Sequence, residues 1–304
     1  MTKFRGEIIR TFTEIFAMAK EKKGAKVAVA CAADAHVLMA AASAAEKGIA
    51  DFILVGSREK INEIAKNNGL DISDFEIIHC DDDAPACDTA VTLVASGTAS
   101  ALMKGSIDTS FIMRAALNKD SGIRTGNKLS HIAAFELPAY HKLLYVTDAA
   151  INIAPDFDSK KDIIINALDA LHNLGIAKPK IALLAAKEKV DEKMPITVEY
   201  AELVKLHKNG LFTEAIVEGP LALDNAISPT SCEIKGIDSS IHGEADLLVC
   251  PNIEAGNILY KALAFLAGGK NGGVVLGAKR PIILTSRADT AESKLISIAL
   301  SVLF

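Results

Sequence analysis

Tryptophan is absent from the 304-residue sequence, and aromatic residues make up only 5% of it. Half of all residues are hydrophobic, so the interior must be built from alanine, valine, isoleucine and leucine. With 23% charged residues the composition is that of an ordinary globular protein. The length allows one large or two medium domains.

Long hydrophobic runs are also absent. No stretch approaches the roughly 18 consecutive apolar residues of a membrane-spanning helix, so none is expected. The N-terminal stretch instead has an amphipathic helical pattern without the apolar core of a signal peptide. Its apolar side comprises Phe4, Ile8, Phe12, Ile15 and Phe16.

The sequence contains no block of basic residues, its net charge is -5 and its pI is about 5.8. This balance argues against nucleic acid or a membrane as a partner. It leaves a small anionic ligand open, because a few well-placed arginines and lysines can bind one.

Cysteine is scarce, with five scattered residues and no CxxC pair. Three of them, Cys31, Cys80 and Cys250, end apolar runs, as buried small residues do. A reduced, cytoplasmic setting fits this usage best. Cys31 followed by Asp34 and His36 could also form a nucleophile and a base, but a buried strand cysteine is the favoured interpretation.

Several familiar motifs are missing. The glycine-rich stretch AGGKNGG (267–273) is neither GxGxxG nor a P-loop, and it precedes a strand pattern instead of following one. HExxH and GxSxG do not occur, and the seven histidines are dispersed, so no metal site is expected. A metal-dependent decarboxylating dehydrogenase would need clustered acidic ligands and a cofactor loop, and neither is visible.

What is present is a repeated alternation of strands and helices. It predicts α/β architecture, with two doubly wound domains and a ligand cleft between them. Strands are expected at 25–32, 51–56, 75–80 and 101–105, then as an antiparallel pair at 131–137 and 142–148, and further at 180–186, 214–219, 245–252 and 272–278. We expect the first domain to comprise residues 1–126 and 286–304, and the second domain to comprise 127–285.

The chain is organised around Pro281–Leu300, which has the pattern of a strand, a polar turn and a helix. Asp289 and Glu292 form a capping-box pattern that predicts a helix starting near Thr290. Ser286 and Arg287 lie in the turn, where open α/β sheets bind ligands and where a helix N-terminus favours anions. An anion site and a simple capped helix with a surface arginine are both open interpretations.

A second cluster follows the strand at 101–105. Its lysine, hydroxyls and arginine at another strand-to-helix turn again indicate an anion site, the alternative being a solvated polar loop. The candidate binding residues are Lys104, Ser106, Thr109, Ser110 and Arg114, and Asp108 is expected to cap the helix.

Three more polar clusters follow predicted strands, and they are candidates for substrate binding or for loop structure and capping. A cleft carboxylate among them could act as a base if burial raised its pKa. The residues are Asp148, Asn152 and Asp156 in the first; Glu218, Asp224 and Asn225 in the second; and Asn252, Glu254, Gly256 and Asn257 in the third.

Together these stretches resemble the phosphate acetyl/butyryl transferase family. The resemblance runs from about residue 100 to the C-terminus, and it depends on several long motifs in the same order. They are LMKGSIDTS, LLYVTDAAINIAPD, EGPLALDNAIS, PNIEAGNILYKAL, NGG and LTSRADTAESKLISIAL.

The resemblance implies a two-domain fold of the isocitrate/isopropylmalate-dehydrogenase-like type. It implies reversible acyl transfer between coenzyme A and inorganic phosphate, with butyryl favoured, acetyl as the alternative, and a place in butanoate metabolism. Coenzyme A is then a substrate, no cofactor is permanently bound, and an acyl kinase is the metabolic neighbour. A homo-oligomer, at least a dimer, is also implied.

The resemblance further implies that Ser286, Arg287 and Arg114 belong to the active site. Ser293 stands where related sequences have an acid, so Asp289 or Asp224 is the expected proton acceptor. With no activated nucleophile visible, we expect direct transfer in a ternary complex. A related dehydrogenase and a non-enzymatic ligand-binding protein are the competing interpretations.

Overall fold

The computed structural model describes residues 8–120, 122–284 and 289–304. The chain forms two compact units. The first unit comprises residues 12–127 and 272–304, and the second unit comprises 128–271 together with residues 8–11. The return to the first unit therefore occurs at residue 272, whereas the sequence analysis placed it at 286. The difference arises because the strand that crosses residue 272 pairs with its neighbour in the first unit.

The strands are β1 (Lys26–Ala30), β2 (Asp51–Gly56), β3 (Glu76–His79), β4 (Ala101–Lys104), β5 (Ser130–Glu136), β6 (Leu144–Thr147), β7 (Lys180–Leu184), β8 (Ile216–Leu221), β9 (Leu247–Val249), β10 (Lys270–Leu276) and β11 (Ile282–Ile283). The helices are α1 (Phe12–Glu21), α2 (Ala35–Glu46), α3 (Arg58–Asn67), α4 (Asp83–Ala95), α5 (Thr109–Leu117), α6 (Phe157–Asn173), α7 (Pro195–Lys208), α8 (Leu223–Ile227), α9 (Pro229–Lys235), α10 (Ile253–Lys261) and α11 (Ala291–Leu303). A π-helical turn, Ala262–Leu266, follows α10.

The sheet of the first unit has the order β3-β2-β1-β4-β11-β10. All its strands are parallel except β10, which runs antiparallel to β11 with Val275 opposite Ile282. Strand β1 lies inside this sheet, and its residues 27–30 are fully buried. A strand that is covered on both faces has a continuous apolar sequence, which is why KVAVA does not alternate.

Helices cover both faces of this sheet because the chain changes direction after β3. Crossovers are right-handed, so α2 on the way from β1 to β2 and α4 on the way from β3 to β4 lie on opposite faces. Helices α1 and α2 both pack against α11, and α4 packs against α5. Among the described residues, the predicted N-terminal helix begins at Phe12, and its buried residues are Phe12, Ile15, Met18 and Ala19. Phe4 lies outside the described residues.

The second unit has the strand order β5-β6-β9-β7-β8. The predicted antiparallel pairing of β5 with β6 is confirmed, with Ile132 opposite Thr147, and the remaining strands are parallel. On one side of its core the buried residues are small or aliphatic apart from Phe135, and the partly buried rings of Tyr140 and Tyr260 pack against them. The low aromatic content thus yields the aliphatic interior that the composition predicts.

One helix cap differs from the expectation. Thr290, not Asp289, caps α11, because its hydroxyl accepts a hydrogen bond from the Ser293 N–H at 3.1 Å. The helix itself begins at Ala291, close to the predicted start. Asp156 has the capping role among its two predicted alternatives, because it caps α6 by accepting from the Ser159 N–H at 2.8 Å.

Among the described residues, no helix is both long and apolar enough to cross a lipid bilayer.

Candidate functional site

The candidate site of the first unit lies at the carboxyl edge of its sheet. The chain leaves β1 for β2 on one side, while β4 and β11 extend the sheet on the other. Strand order therefore reverses between β1 and β4, and ligands of open α/β sheets bind at such a point.

The turn after β4 packs tightly onto the end of β1. Gly105 N–H donates to Ala30 O and Ser106 N–H donates to Cys31 O, both at 2.8 Å. A Cβ on Gly105 would lie 2.2 Å from Cys31 O, so only glycine fits here. Cys31 itself has φ 53°, which turns the chain away from the strand. The turn is thus fixed against the adjacent strand before its side chains are considered.

Lys104 is the buried member of the predicted cluster. Its Nζ donates to Ile107 O at 2.8 Å and to Gly105 O at 3.3 Å, so its positive charge is held inside the turn. Asp108 caps α5 as predicted, accepting from Ser110 N–H at 2.8 Å.

The remaining members of this cluster face solvent. Ser106, Thr109, Ser110 and Arg114 are exposed. The Arg114 guanidinium lies 5.7 Å from the centroid of the Phe111 ring, a cation–π distance. The turn therefore combines a helix N-terminus, hydroxyls and positive charge, which is the chemistry that binds an oxyanion.

Ser286 and Arg287 lie outside the described residues. The segments that flank them are described. Ile283 of β11 pairs in parallel with Met103 of β4, so the carboxyl end of β11 lies at the same sheet edge as the carboxyl end of β4. Asp289 is half-buried, and its backbone carbonyl accepts from Lys294 Nζ at 2.8 Å. Burial lowers the pKa of Lys294, and the nearby carboxylates of Asp289 and Asp34 oppose that shift.

A second group forms at the carboxyl ends of β6 and β9 in the second unit. Asp148 follows β6 and is buried, and its carboxylate accepts from the N–H groups of Ala150 at 2.8 Å, Ile151 at 2.9 Å and Asn152 at 3.2 Å. The Asn152 side-chain amide adds a bond at 2.6 Å and also donates to Leu129 O at 2.8 Å. Asp148 and Asn152 therefore organise one loop, which we call the Asp148 loop (147–153).

Helix α10 packs directly against the Asp148 loop. Asn252 caps the helix by accepting from Ala255 N–H at 3.0 Å, and the Asn257 amide donates to Ala149 O at 3.1 Å. A Cβ on Gly256 would lie 2.2 Å from Asp148 O, so the glycine permits this approach. Glu254 is exposed on the first turn. The structure thus brings together two clusters that the sequence analysis treated separately.

Asp224 and Asn225 form a different group around Lys235, which the sequence analysis did not identify. Asp224 accepts from Lys235 Nζ at 2.8 Å and from Ser231 Oγ at 2.6 Å, and these bonds lower the pKa of its carboxyl. Asn225 is fully buried, with its Oδ1 3.1 Å from the same Nζ. No sequence pattern indicates Lys235, because it lies on α9 and reaches Asp224 and Asn225 only when α9 folds back onto α8.

Two other predicted polar residues have local structural partners. The Glu218 carboxylate accepts from Ser240 N–H at 2.8 Å and from the Ser239 hydroxyl. Asp34 caps α2 by accepting from Val37 N–H at 2.9 Å, so it is not a base for Cys31. The pKa of the Cys31 thiol is raised by a hydrogen bond with Cys87 and by burial, which fits the buried structural cysteine.

No group of three or more histidine, cysteine or acidic side chains is arranged to hold a metal ion within the part of the chain that is described.

Comparison with known proteins gives a consistent result. The family model described as Phosphate acetyl/butaryl transferase matches residues 10–88 and 84–302. A phosphate butyryltransferase of Clostridium acetobutylicum is 43% identical over 97% of this chain and 98% of its own length. Another, from Clostridium beijerinckii, is 45% identical over 97% of each chain. A phosphate acetyltransferase of Rhizobium meliloti is 40% identical over 96% of this chain and 93% of its own.

Solved structures agree with the sequence relatives. A branched-chain phosphotransacylase from Enterococcus faecalis superimposes with a TM-score of 0.83 at 36% identity, covering 92% of this chain and 98% of that one. A 4-hydroxythreonine-4-phosphate dehydrogenase from Klebsiella pneumoniae shares the fold alone, with a TM-score of 0.57 at 14% identity over 91% of this chain and 98% of that one. The dehydrogenase-like α/β fold that the sequence predicts is confirmed.

The chain belongs to the phosphate acetyl/butyryl transferase family. The resemblance found in its motifs is therefore confirmed, and it extends over the first hundred residues as well, where the motifs are weaker.

Proposed function

We propose that this protein catalyses the reversible transfer of a short-chain acyl group, preferentially butyryl, between coenzyme A and inorganic phosphate. The observation that carries this proposal is the 43–45% identity, over nearly the whole chain, to two phosphate butyryltransferases. Acetyl transfer is the second candidate, because phosphate acetyltransferases also match at 40% identity.

In the direction of acyl phosphate formation, a phosphate oxygen attacks the thioester carbonyl. The new C–O bond forms, the C–S bond breaks, and coenzyme A leaves as a thiolate that takes up a proton. Negative charge develops first on the carbonyl oxygen and then on sulfur. Fixed positive charge and N–H donors are most effective where such charge appears.

We assign the anion-binding role to the first unit. Arg114, Ser286 and Arg287 would bind the phosphate and the developing oxyanion. Lys104 contributes positive charge from inside the turn, and the exposed hydroxyls of Ser106, Thr109 and Ser110 offer hydrogen bonds at the N-terminus of α5.

For proton exchange with the thiol we favour Asp289 over Asp224. Asp289 is half-buried beside the Ser286–Arg287 segment in sequence. The Asp224 carboxylate is already engaged by Lys235 and Ser231, and its lowered pKa makes it a weaker base. The two candidates are separated by replacing each with asparagine and recording kcat against pH. Only the replacement of the residue that exchanges the proton should change the shape of the profile.

The Asp148 loop and the start of α10 would bind the substrate in the second unit. They offer the half-buried amides of Asn152, Asn252 and Asn257, the exposed carboxylate of Glu254, and the close backbone approach at Gly256. We also keep Asn225 as a substrate-binding candidate, since its buried Nδ2 has no hydrogen-bond partner among the described residues.

The proposal includes a homo-oligomer, at least a dimer. Three large apolar side chains on α10 and the following π-helical turn are strongly exposed, namely Ile258, Phe265 and Leu266, at 69%, 72% and 87%. An exposed apolar patch of this kind is typical of an association surface.

We further place the enzyme in the cytoplasm, with no permanently bound cofactor, beside an acyl kinase that consumes its acyl phosphate. The five free thiols suit a reducing compartment.

The deciding experiment measures release of the coenzyme A thiol from butyryl-CoA, with and without inorganic phosphate, in the presence of EDTA. Phosphate-dependent release supports the transferase, whereas release without phosphate would mean a thioesterase. No release from any short acyl-CoA would overturn the proposal. Rates with acetyl-CoA and butyryl-CoA then rank the acyl chain.

Direct transfer is tested separately with radiolabelled butyryl-CoA in the absence of phosphate. We expect no stable label on the protein. A stoichiometric acyl-protein would instead require a nucleophile and a two-step reaction.

A further inference from the structure

Helix α5 has an exposed side that carries more than the groups assigned to anion binding. Phe111, Arg114 and Leu117 are spaced by three residues, so they share one side of the helix. Phe111 is 42% exposed and Leu117 is 44% exposed, whereas the opposite side of α5 is buried. The two apolar side chains are therefore not part of the core, and they lie on either side of the arginine that we assign to the transfer reaction.

Phe111 is the first apolar side chain of α5. It directly follows Thr109 and Ser110, at the helix N-terminus where we place the anion. Phe265, the other exposed phenylalanine in the described part of the chain, belongs to the patch assigned to self-association. An isolated apolar residue on a surface needs no explanation. Phe111 differs because it borders a group to which we assign the binding of the reacting atoms.

The Phe111 ring contacts Arg114 and still has free surface. The guanidinium carbon of Arg114 lies 5.7 Å from the ring centroid, which is a cation–π distance. With this contact in place the residue is 42% exposed, so a ligand can reach part of the ring. An oxyanion bound by the Arg114 guanidinium and an apolar group packed on the Phe111 ring would therefore be neighbours.

The acyl chain is the part of the substrate that fits this position. In an acyl-CoA the acyl carbons follow the thioester carbonyl directly, and we place the oxygen of that carbonyl at Arg114. The carbons of a butyryl group extend far enough to pack on the neighbouring ring, whereas the single methyl group of acetyl covers less of it. The adenine ring of coenzyme A could also stack on a phenylalanine, but the pantetheine arm and the pyrophosphate separate it from the carbonyl.

We propose that the Phe111 ring contacts the acyl chain of the substrate and is the residue that favours butyryl over acetyl. This inference rests on the proposed function, and in particular on the role of Arg114. Burial of one methylene contributes about fourfold in affinity, so the two additional methylenes of butyryl contribute at most about 15-fold. Contact with one exposed ring supplies part of that preference.

The test compares kcat/KM for butyryl-CoA with kcat/KM for acetyl-CoA at saturating phosphate. Phe111→Ala should lower the ratio of these two values by about fivefold, mainly through a higher KM for butyryl-CoA. Phe111→Leu keeps an apolar side chain and should retain most of the ratio. Leu211→Ala is the matched control, because Leu211 is 41% exposed but precedes β8, at the amino-terminal edge of the sheet in the second unit. Its ratio should equal that of the wild type.

Three outcomes overturn the inference. The first is a wild type that prefers acetyl-CoA, and the second is an unchanged ratio in Phe111→Ala. The third is an equal loss of kcat/KM with both substrates, which would mean that the ring acts only through Arg114 or contacts the thiol arm of coenzyme A. In all three cases, phosphate-dependent turnover by the wild type would still support the proposed function.

Binding measured without phosphate separates the inference from the proposed function. Isothermal titration of the wild type should show tighter binding of butyryl-CoA than of acetyl-CoA, and Phe111→Ala should remove most of this difference. An absence of phosphate-dependent turnover in the wild type would overturn the proposed function. The titration would still test the contact, because a difference in affinity that persists in Phe111→Ala would overturn the inference. Thermal unfolding of Phe111→Ala should differ little from that of the wild type, since the substitution removes an exposed side chain.

Discussion

At the scale of single residues, Asp148 shows how a polar side chain can be buried without being a catalyst. Its carboxylate accepts three backbone N–H groups and one side-chain amide from the four residues that follow it. Both carboxylate oxygens of Asp148 therefore accept hydrogen bonds from the loop, and both are needed to hold its conformation.

We predict that Asp148→Asn destabilises the protein by about 1–3 kcal/mol, because an amide NH₂ would face N–H donors and leave them unsatisfied. Urea denaturation measures the change. Asp158→Asn, at an exposed site on α6, should stay within about 0.5 kcal/mol. A loss in Asp158→Asn as large as in Asp148→Asn would contradict this account.

Arg114 carries the main prediction about activity. We expect Arg114→Ala to lower kcat by about 10²–10³-fold with the fold intact, which is typical when one group that stabilises the transition-state anion is lost. Arg287→Ala should lose most of the activity as well. Arg280→Ala, which removes an exposed arginine just before β11, is the control and should turn over normally. Near-normal turnover of Arg114→Ala would remove this residue from the mechanism.

Lys294 predicts a pH dependence of stability. Burial lowers its pKa in the folded state below the ordinary 10.5, so the unfolded chain binds more protons between these two values. Stability contributed by this site therefore rises with pH across that window and is constant below it. The free energy of unfolding of the wild type, minus that of Lys294→Met, should increase as pH rises toward 10.5. A flat difference would mean that the ammonium is as well solvated in the folded state as in the unfolded one.

At the scale of elements, the contact of α10 with the Asp148 loop depends on one missing side chain. Gly256→Ala should be favourable by helix propensity, but its Cβ would meet the Asp148 carbonyl. We predict a net destabilisation of about 1–3 kcal/mol, as for other overpacked sites. Glu254→Gln on the exposed side of the same helix should change stability by about 0.5 kcal/mol or less. An unchanged melting temperature in Gly256→Ala would show that α10 can move away without cost.

Most elements could be predicted from the sequence, because a strand or helix with a strong apolar pattern can be recognised from its own residues alone. The short link between residues 137 and 142 required β5 and β6 to be antiparallel, and they are. Helix α7 was not predicted, since only Thr197, Tyr200 and Leu203 are buried on it and its apolar stripe is weak. The predicted cap of α11 was wrong, because the cap is decided by which side-chain oxygen reaches an N–H group.

The candidate site was predictable in part for the same reason. Side chains at a strand-to-helix turn, such as Lys104 and Arg114, can be recognised from local pattern. The joining of the Asp148 loop to α10 could not, because it depends on β6 lying beside β9, a pairing between residues far apart in the chain. The Lys235–Asp224 ion pair could not be predicted either, because it depends on how α9 folds back onto α8.

At the scale of the whole molecule, the exposed apolar patch on α10 and the π-helical turn predicts self-association. Light scattering should give a mass that is a multiple of the 32.1 kDa chain. The double variant Ile258→Asp and Leu266→Asp should shift the equilibrium toward 32.1 kDa. Ile234→Asp is the matched control, because Ile234 is 81% exposed but belongs to another helix, α9. A monomeric wild type, or equal dissociation in the control, would contradict the proposed oligomer.

The discontinuity of the first unit has a consequence for how the protein is made. During synthesis, residues 12–127 emerge long before residues 272–304, and the whole of 128–271 is translated between them. Until β11 arrives, β4 has an unpaired edge and α1 and α2 lack the helix that covers them. During this interval the nascent first unit therefore exposes apolar surface and unpaired backbone groups, which can form non-native contacts. Its yield in the cell will depend on chaperone protection during that interval.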